Sequence, residues 1–459
     1  MEGQCSVGSY LSRRLVEAGV SHFFTVPGDF TLALLDELLA NPGLKMVGCC
    51  NELNAGYAAD GYCRGTKGMG CCVVTYMVGT LSIMNAVAGA YSEDLPLLIV
   101  AGAPNTLDAQ HCHIMHHTLG KTDFYQSGKC FEPITAGVFS IRHLSQAAGQ
   151  IDEALRLCAT RRKPVYLEIA CNLSVAQVSL PTPLSAQYYT SDAAADADAA
   201  SVEAAVTHVM RRITSVEKVV LIGGSKLLTA DAVDAFTNLA LKLGCGYASL
   251  PDAKGLLDET APGYMGCYWA GISSRHCQGI VESADLRIFA GSVLSDISTV
   301  GWTALLTPEK TVYLDLSSVH IPGGGGVKGG RYPLAPLRQV LSMLALRTEG
   351  VTKPVSLQYF HRYAVPAVPR VRAVSFADIT AAKDQELAAP LSLRFLLSQL
   401  QESLAGVASV VVETGDSWFI GQKLHLPRGT RFHIQMQYGS CGWALPASLG
   451  LAIAQSGTH

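Results

Sequence analysis

A carboxylate set among small and apolar neighbours is a candidate for acid–base work. The stretch Asn51-Glu52-Leu53-Asn54-Ala55-Gly56-Tyr57-Ala58-Ala59-Asp60-Gly61-Tyr62 provides one directly after the apolar run Met46 to Cys50. At a strand-to-helix junction of an α/β sheet, side chains point into the crevice at the carboxyl ends of the strands, where ligands bind. Glu52 is expected there, partly desolvated, with a raised pKa and a proton that moves to or from a ligand nitrogen near neutral pH. Taken alone, the same residue reads as an ordinary first-turn glutamate interacting with a helix dipole. Two further groups fall at expected carboxyl ends of strands: Asp29 in Pro27-Gly28-Asp29, and the histidines of His111-Cys112-His113-Ile114-Met115-His116-His117. Together they form the pattern of one crevice lined by successive βα loops.

The histidines admit two readings. His113 and His117, four residues apart, would share a helix face and could hold a metal, yet no H-E-x-x-H glutamate lies between them. Adjacent His116 and His117 are a poor metal pair because neighbouring side chains diverge, and they suit proton transfer to different atoms. No metal ligand is assigned.

Positioning these groups requires a parallel sheet. His22 to Val26 reads as a strand, Pro27-Gly28-Asp29 as a turn, and Thr31 to Ala40 as a helix with Leu32, Leu35, Leu38 and Leu39 inward, stopped by Asn41-Pro42-Gly43. Strands are expected at Met46 to Cys50, Cys71 to Tyr76 and Leu97 to Ala101, with helices at about 52–64 and 81–91. Pro164 to Ile169 is taken as the last strand of this unit. Continuous apolar strands alternating with helices indicate a sheet covered on both faces. Ser191 to Asp198 has too little apolar bulk for a core and reads as a linker. A second α/β pattern has strands at Lys218 to Ile222, Asp285 to Ala290 and Thr311 to Leu316. The pair Gly223-Gly224 lacks the G-x-G-x-x-G spacing of a dinucleotide turn. Pro322 to Gly330, with six glycines, reads as a loop, and Pro366 to about Pro390 as a second connector. A third unit has a helix near Leu391 to Leu404, strands at Ser409 to Val412 and Arg431 to Gln435, and an apolar helix at Ala444 to Ala454.

The chain is 459 residues long, 49% hydrophobic and 15% charged, which is too long for one core and able to bury large apolar sheets. A formal charge of -3 argues against nucleic acid or an anionic membrane as partner. No apolar run approaches the roughly 18 residues of a membrane span. An amphipathic helix with Tyr10, Leu11, Leu15 and Ala18 on one face begins almost at the N-terminus, so no signal peptide is read and a cytoplasmic location is expected. None of the fourteen cysteines forms a C-x-x-C pair. Cys49-Cys50 and Cys71-Cys72 sit in strand-like runs, as small hydrophobes in a reducing compartment.

Pro27-Gly28-Asp29, Asn51-Glu52-Leu53, His116-His117-Thr118-Leu119-Gly120, Glu413-Thr414-Gly415 and Tyr438-Gly439-Ser440 resemble the motifs of the thiamine diphosphate-dependent 2-oxo acid decarboxylases, in order from about residue 8 to the end. The plant and algal branch that acts on pyruvate is the most similar, and the paired histidine is the most specific element. The resemblance implies three doubly wound parallel-sheet α/β domains: a pyrimidine-binding domain at 1–185, a central domain at 199–350 and a diphosphate-binding domain at 385–459. It implies that Glu52 hydrogen-bonds the pyrimidine ring nitrogen of thiamine diphosphate, and that Asp29, His116 and His117 guide protonation and aldehyde release after CO2 leaves. Val78, Thr414, Asp416, Gly439, Ser440 and Cys441 would hold the cofactor. A small 2-oxo acid would be the substrate, and a homodimer or homotetramer would place each site between subunits.

Departures from the family pattern set further expectations. The Gly-Asp-Gly metal signature is absent, so the Mg2+ ligands are expected beyond residue 459, the third domain is expected to be cut short, and the chain as written is expected to be an inactive fragment. Cys441 stands where the family has a bulky aliphatic residue under the cofactor, and Met77 where relatives have glycine. Gly223-Gly224-Ser225-Lys226 lacks the cysteine used for substrate activation in yeast-type members. Three alternatives stay open: a non-catalytic homologue that pairs with full-length subunits, a phenylpyruvate or indolepyruvate decarboxylase, and a metalloprotein built on the histidine cluster.

Overall fold

The computed structural model describes residues 3–189, 197–326, 328–354 and 391–456. Most of the linker expected at Ser191 to Asp198, and the connector expected at Pro366 to Pro390, lie outside the described residues. The chain forms two compact units, Met1–Asp192 with Gln437–His459, and Ala193–Met436.

In the first unit β1 (Gln4–Ser6) leads into α1 (Val7–Glu17), whose N-terminus is capped by the Ser6 hydroxyl accepting from Ser9 N at 2.9 Å. There follow β2 (His22–Thr25), α2 (Leu32–Leu39), β3 (Lys45–Gly48), α3 (Glu52–Thr66), β4 (Gly70–Val74), α4 (Val78–Ser92) and β5 (Leu97–Ala103). The chain continues through α5 (Thr106–Gln110), α6 (Gln126–Phe131), β6 (Val138–Ile141), α7 (Leu144–Arg161), β7 (Val165–Ala170) and β8 (Gln177–Ser179). Six strands make one parallel sheet in the order β3-β2-β4-β5-β7-β6, and β1 pairs antiparallel with β8. The apolar faces of α1, α2 and α7 cover one side, with Leu11, Leu15, Leu35, Leu38, Ile151 and Leu155 on Val73, Val100 and Leu167.

Several expectations are corrected. β7 is not the last strand, since β8 follows it. Leu32 and Leu39 are exposed while Leu34 is buried, because the stripe of α2 that packs into the core runs Leu34, Leu35, Leu38. Cys49 and Cys50 lie past the end of β3 and are not buried, unlike Cys71 and Cys72 in β4.

The second unit holds α8 (Ala199–Thr214), β9 (Val219–Gly223), α9 (Lys226–Thr229), α10 (Val233–Leu243), β10 (Gly246–Ser249), β11 (Tyr264–Cys267), α11 (Cys277–Ser283) and β12 (Leu286–Ala290). β13 (Thr311–Leu314), β14 (Ser318–Ile321), β15 (Gly330–Pro333) and α12 (Leu337–Arg347) complete its main sheet, ordered β11-β10-β9-β12-β13-β14-β15, with β14 and β15 antiparallel. The glycine pair after β9 serves close packing. A Cβ on Gly224 would overlap the backbone of Gly291, whose carbonyl accepts from Lys226 N at 2.9 Å. A smaller layer follows: α13 (Leu393–Glu402), β16 (Ser409–Val412), α14 (Asp416–Gly421) and β17 (Arg431–Ile434), where β16 and β17 pair in parallel.

The final helix, α15 (Ala444–Gln455), packs on α3 of the first unit. Glycines on both helices bring the backbones together. A Cβ on Gly450 would overlap the carbonyl oxygen of Ala58 and approach Tyr62 N to 2.7 Å, and one on Gly61 would overlap the carbonyl of Ala447. Neither backbone can move aside as a flexible side chain would. Gly450→Ala is therefore expected to destabilise the first unit by about 1–3 kcal/mol, read as a lowered Tm. An unchanged Tm would contradict this packing.

Candidate active site

The order of the six-stranded sheet reverses at β2 and β4, and in such sheets the crevice beyond the carboxyl ends of the strands at that point takes ligands. Four neighbouring strands send their following residues there: β2 leads to Asp29, β3 to Glu52, β4 to Met77 and Val78, and β5, by way of α5, to His116 and His117.

Each loop shows why its residues sit as they do. Gly28 lies against Thr75, the residue that follows β4, since a Cβ there would meet the Thr75 Cβ at 2.5 Å, so only glycine lets Asp29 turn into the crevice. Thr31 closes the turn, its hydroxyl donating to the Gly28 carbonyl at 2.8 Å. Asn51 caps α3, its side chain accepting from Leu53 N at 2.9 Å, which leaves the half-buried Glu52 free in the first turn. A Cβ on Gly79 would lie 3.5 Å from Glu52 Oε1, so this carboxylate reaches the first turn of α4. Met77, which precedes α4, is buried and holds φ 48°, a backbone that favours glycine. The sulfur of Met77 accepts from the Ser127 hydroxyl at 3.0 Å.

The histidine loop departs from what the spacing implied. His113 and His117 share no helix, and His113 instead pairs with Asp108 at 3.0 Å. Nor do the adjacent histidines diverge. His117 holds φ 67°, which swings its ring round so that the two centroids stand 4.6 Å apart and both rings face Asp29. His116 Nε2 is hydrogen-bonded to Asp29 Oδ2, and His117 Nε2 lies 3.6 Å from Asp29 Oδ1. One ligating atom from each of the three lies within 4.8 Å of the others.

Sequence reasoning missed Phe30. Its ring stacks on His116 at 4.8 Å and 21°, meets His117 edge-on at 6.0 Å, and is itself held edge-on by Tyr76 at 5.7 Å. Phe30, Tyr76, Met77, Ala103 and Phe124 form a small apolar cluster, with Met115 packed against it. Nothing in the sequence links residue 30 to residue 116; adjacency to Asp29 was the only signal. Phe30→Leu keeps the apolar volume but removes the flat face, so stability should change by less than about 1.5 kcal/mol while kcat falls about tenfold or more as His116 loses its orientation. Equal kcat would remove Phe30 from this role.

The remaining residues singled out fall in both units. Gly439, Ser440 and Cys441 belong to the first unit, where the Tyr57 hydroxyl on α3 donates to Ser440 Oγ at 2.8 Å and the Tyr438 hydroxyl donates to Asn85 Oδ1 at 2.8 Å. This joins the loop before α15 to the helix that carries Glu52. Cys441 is exposed. Thr414 and Asp416 belong to the second unit, at the start of α14, where Gly415 takes φ 98° and ψ -138°, a backbone open only to glycine.

Family comparisons agree with this arrangement. Residues 5–127 match the thiamine pyrophosphate enzyme N-terminal TPP binding domain, and residues 206–324 the thiamine pyrophosphate enzyme central domain. The chain is 42% identical over 455 residues to pyruvate decarboxylase 3 of Arabidopsis thaliana, covering 98% of this chain and 72% of that protein. It is 42% identical over 452 residues to pyruvate decarboxylase 2 of Oryza sativa subsp. japonica, with 98% and 71% covered, and 42% identical over 453 residues to pyruvate decarboxylase 1 of Pisum sativum, with 98% and 72% covered. With parallel-sheet α/β units and this likeness over almost its whole length, the chain belongs to the pyruvate decarboxylase family of thiamine pyrophosphate enzymes.

Proposed function

We propose that this chain is a carboxy-lyase that converts pyruvate to acetaldehyde and CO2 with thiamine diphosphate. The observation that carries the reading is the convergence of His116 and His117 on Asp29 at the sheet edge that also presents Glu52, in a chain 42% identical to pyruvate decarboxylases. The crevice fits the cofactor's pyrimidine. Glu52 offers a carboxylate at its mouth, and Thr75 Oγ1 is buried there without a hydrogen-bond partner. When bound, thiamine diphosphate supplies a nucleophilic carbon and accepts the electron pair released as CO2 leaves. Glu52 holds a proton at the pyrimidine ring nitrogen. Asp29, His116 and His117 are assigned to proton delivery at the substrate carbon and to aldehyde release.

Val78, Thr414, Asp416, Gly439, Ser440 and Cys441 are assigned to holding the cofactor. Mg2+ is proposed as a second cofactor, and none of the described residues is assigned as its ligand. A three-domain division at 1–185, 199–350 and 385–459 goes with this reading, as does a homodimer or homotetramer with the site between subunits. Exposed Val78 and Leu81 on α4, and Leu445 and Leu449 on α15, support association. We also assign the protein to the cytoplasm, a reading supported by fourteen cysteines that are all free thiols. No described helix is long and apolar enough to cross a membrane.

The test is an acetaldehyde assay on the full-length gene product with pyruvate, thiamine diphosphate and Mg2+, coupled to NADH oxidation by alcohol dehydrogenase. Acetaldehyde formation that depends on the cofactor is expected. Cofactor-independent or absent formation would refute the reading.

A further inference from the structure

We propose that Asp29, His116 and His117 form a binding site for one transition-metal dication of the zinc class, separate from any magnesium requirement, and that its occupancy silences these acid–base groups. The binding stands on the geometry alone, while the inhibitory consequence rests on the decarboxylase reading.

The donor set is two imidazoles and one carboxylate, all reachable from solvent: Asp29 and His116 are exposed and His117 is half-buried. Zinc binds imidazole nitrogen and carboxylate oxygen at about 2.0–2.2 Å, so tetrahedral ligands stand about 3.3 Å apart. The separation of His117 Nε2 from Asp29 Oδ1, 3.6 Å, is close to that spacing, and all three ligating atoms already lie within 4.8 Å of one another. Two features hold them there without a metal. The positive φ of His117 turns adjacent imidazoles to the same side, and Phe30 stacks against the His116 ring. Three protein ligands leave a fourth position open to water. Among the described residues this is the one group of three or more His, Cys, Asp or Glu side chains with such spacing.

Chemistry selects the ion. Imidazole favours zinc, cobalt, nickel and copper, whereas magnesium takes oxygen ligands in an octahedral shell. Binding displaces the proton shared between His116 and Asp29 and releases it to solvent. The ion then holds the lone pairs that would take up or deliver a proton.

The probe is cobalt(II), titrated into the full chain stripped of metal, in excess Mg2+, and followed by its visible absorption. A saturable site for a single ion with intense tetrahedral bands is expected, displaced by zinc. Asp29→Asn and His117→Gln should each weaken the affinity by about tenfold or more. His116→Gln serves as a third variant, and far-UV circular dichroism confirms that each folds. Absence of saturable uptake, or uptake unchanged in all folded variants, would overturn the site. If cobalt binds as expected but the chain forms no acetaldehyde from pyruvate, the metal site stands and the decarboxylase reading falls. In active protein, zinc should suppress acetaldehyde formation and a chelator restore it. Full activity with the site loaded would overturn the silencing.

Discussion

Glu52→Gln is expected to lower the turnover of pyruvate by about a hundred- to ten-thousand-fold, the usual weight of a positioned acid–base group. The substitution isolates the proton. Glutamine has the same length, keeps a hydrogen-bonding head, and leaves the Asn51 cap on α3 in place, where Asn51 Oδ1 accepts from Leu53 N at 2.9 Å. Because Glu52 is the first residue of α3 and only half-buried, losing its charge removes a helix-dipole contact of about 0.3–1 kcal/mol at most. A large fall in turnover with a nearly unchanged Tm would then separate chemistry from folding. The coupled acetaldehyde assay reads the first and a thermal melt the second. Turnover within tenfold of the unsubstituted protein would end the assignment of Glu52, leaving Asp29, His116 and His117 as the acid–base groups assigned to the crevice.

Glu52 was legible because its signal is local. An apolar strand, a capping asparagine and small residues behind it are all adjacent in the sequence, and the structure builds β3, the cap and α3 from them. Most of the parallel strands were readable for the same reason, as continuous apolar runs with turns at their ends. What could not be read depends on backbone angles or on distant contacts. The positive φ of His117 reverses the expectation that neighbouring histidines point apart, and no residue type announces it, since histidine tolerates the left-handed region without requiring it. The partner of His113 proved to be Asp108, within a turn that helical spacing cannot foresee. The stacking of Phe30 on His116 joins residues brought together by two different strands. Short strands were the other omission: β1, β6, β8, β10, β11, β14 and β15 run three or four residues each, and their composition differs little from that of loops.

A buried ion pair beneath the aromatic cluster was also invisible, because Arg142 and Glu168 are unremarkable in sequence. Arg142→Met is expected to destabilise the first unit by about 3–5 kcal/mol, the cost of leaving a buried charge uncompensated. Arg142 is hydrogen-bonded to Glu168, which also accepts from the Tyr166 hydroxyl at 2.9 Å and from the Ser140 hydroxyl at 3.2 Å. Burial raises the pKa of Glu168, and Arg142 opposes that rise more than any other group does. With the guanidinium gone, the folded-state pKa climbs further. A carboxyl whose folded-state pKa exceeds its unfolded value of about 4.3 contributes stability in its protonated form, complete below that value and lost as pH rises through the folded-state pKa. The variant should therefore lie nearer the unsubstituted protein at about pH 5 than at about pH 7.5, as read by urea unfolding at both. Adding Glu168→Leu removes the stranded charge, so the double variant should recover much of the loss near neutral pH. If it does not, side-chain packing rather than charge accounts for the effect. The same variant bears on function, since Arg142 also donates to the Phe124 carbonyl at 3.1 Å and Phe124 belongs to the cluster that carries Phe30. Loosening it should lower kcat in the double variant even where stability returns.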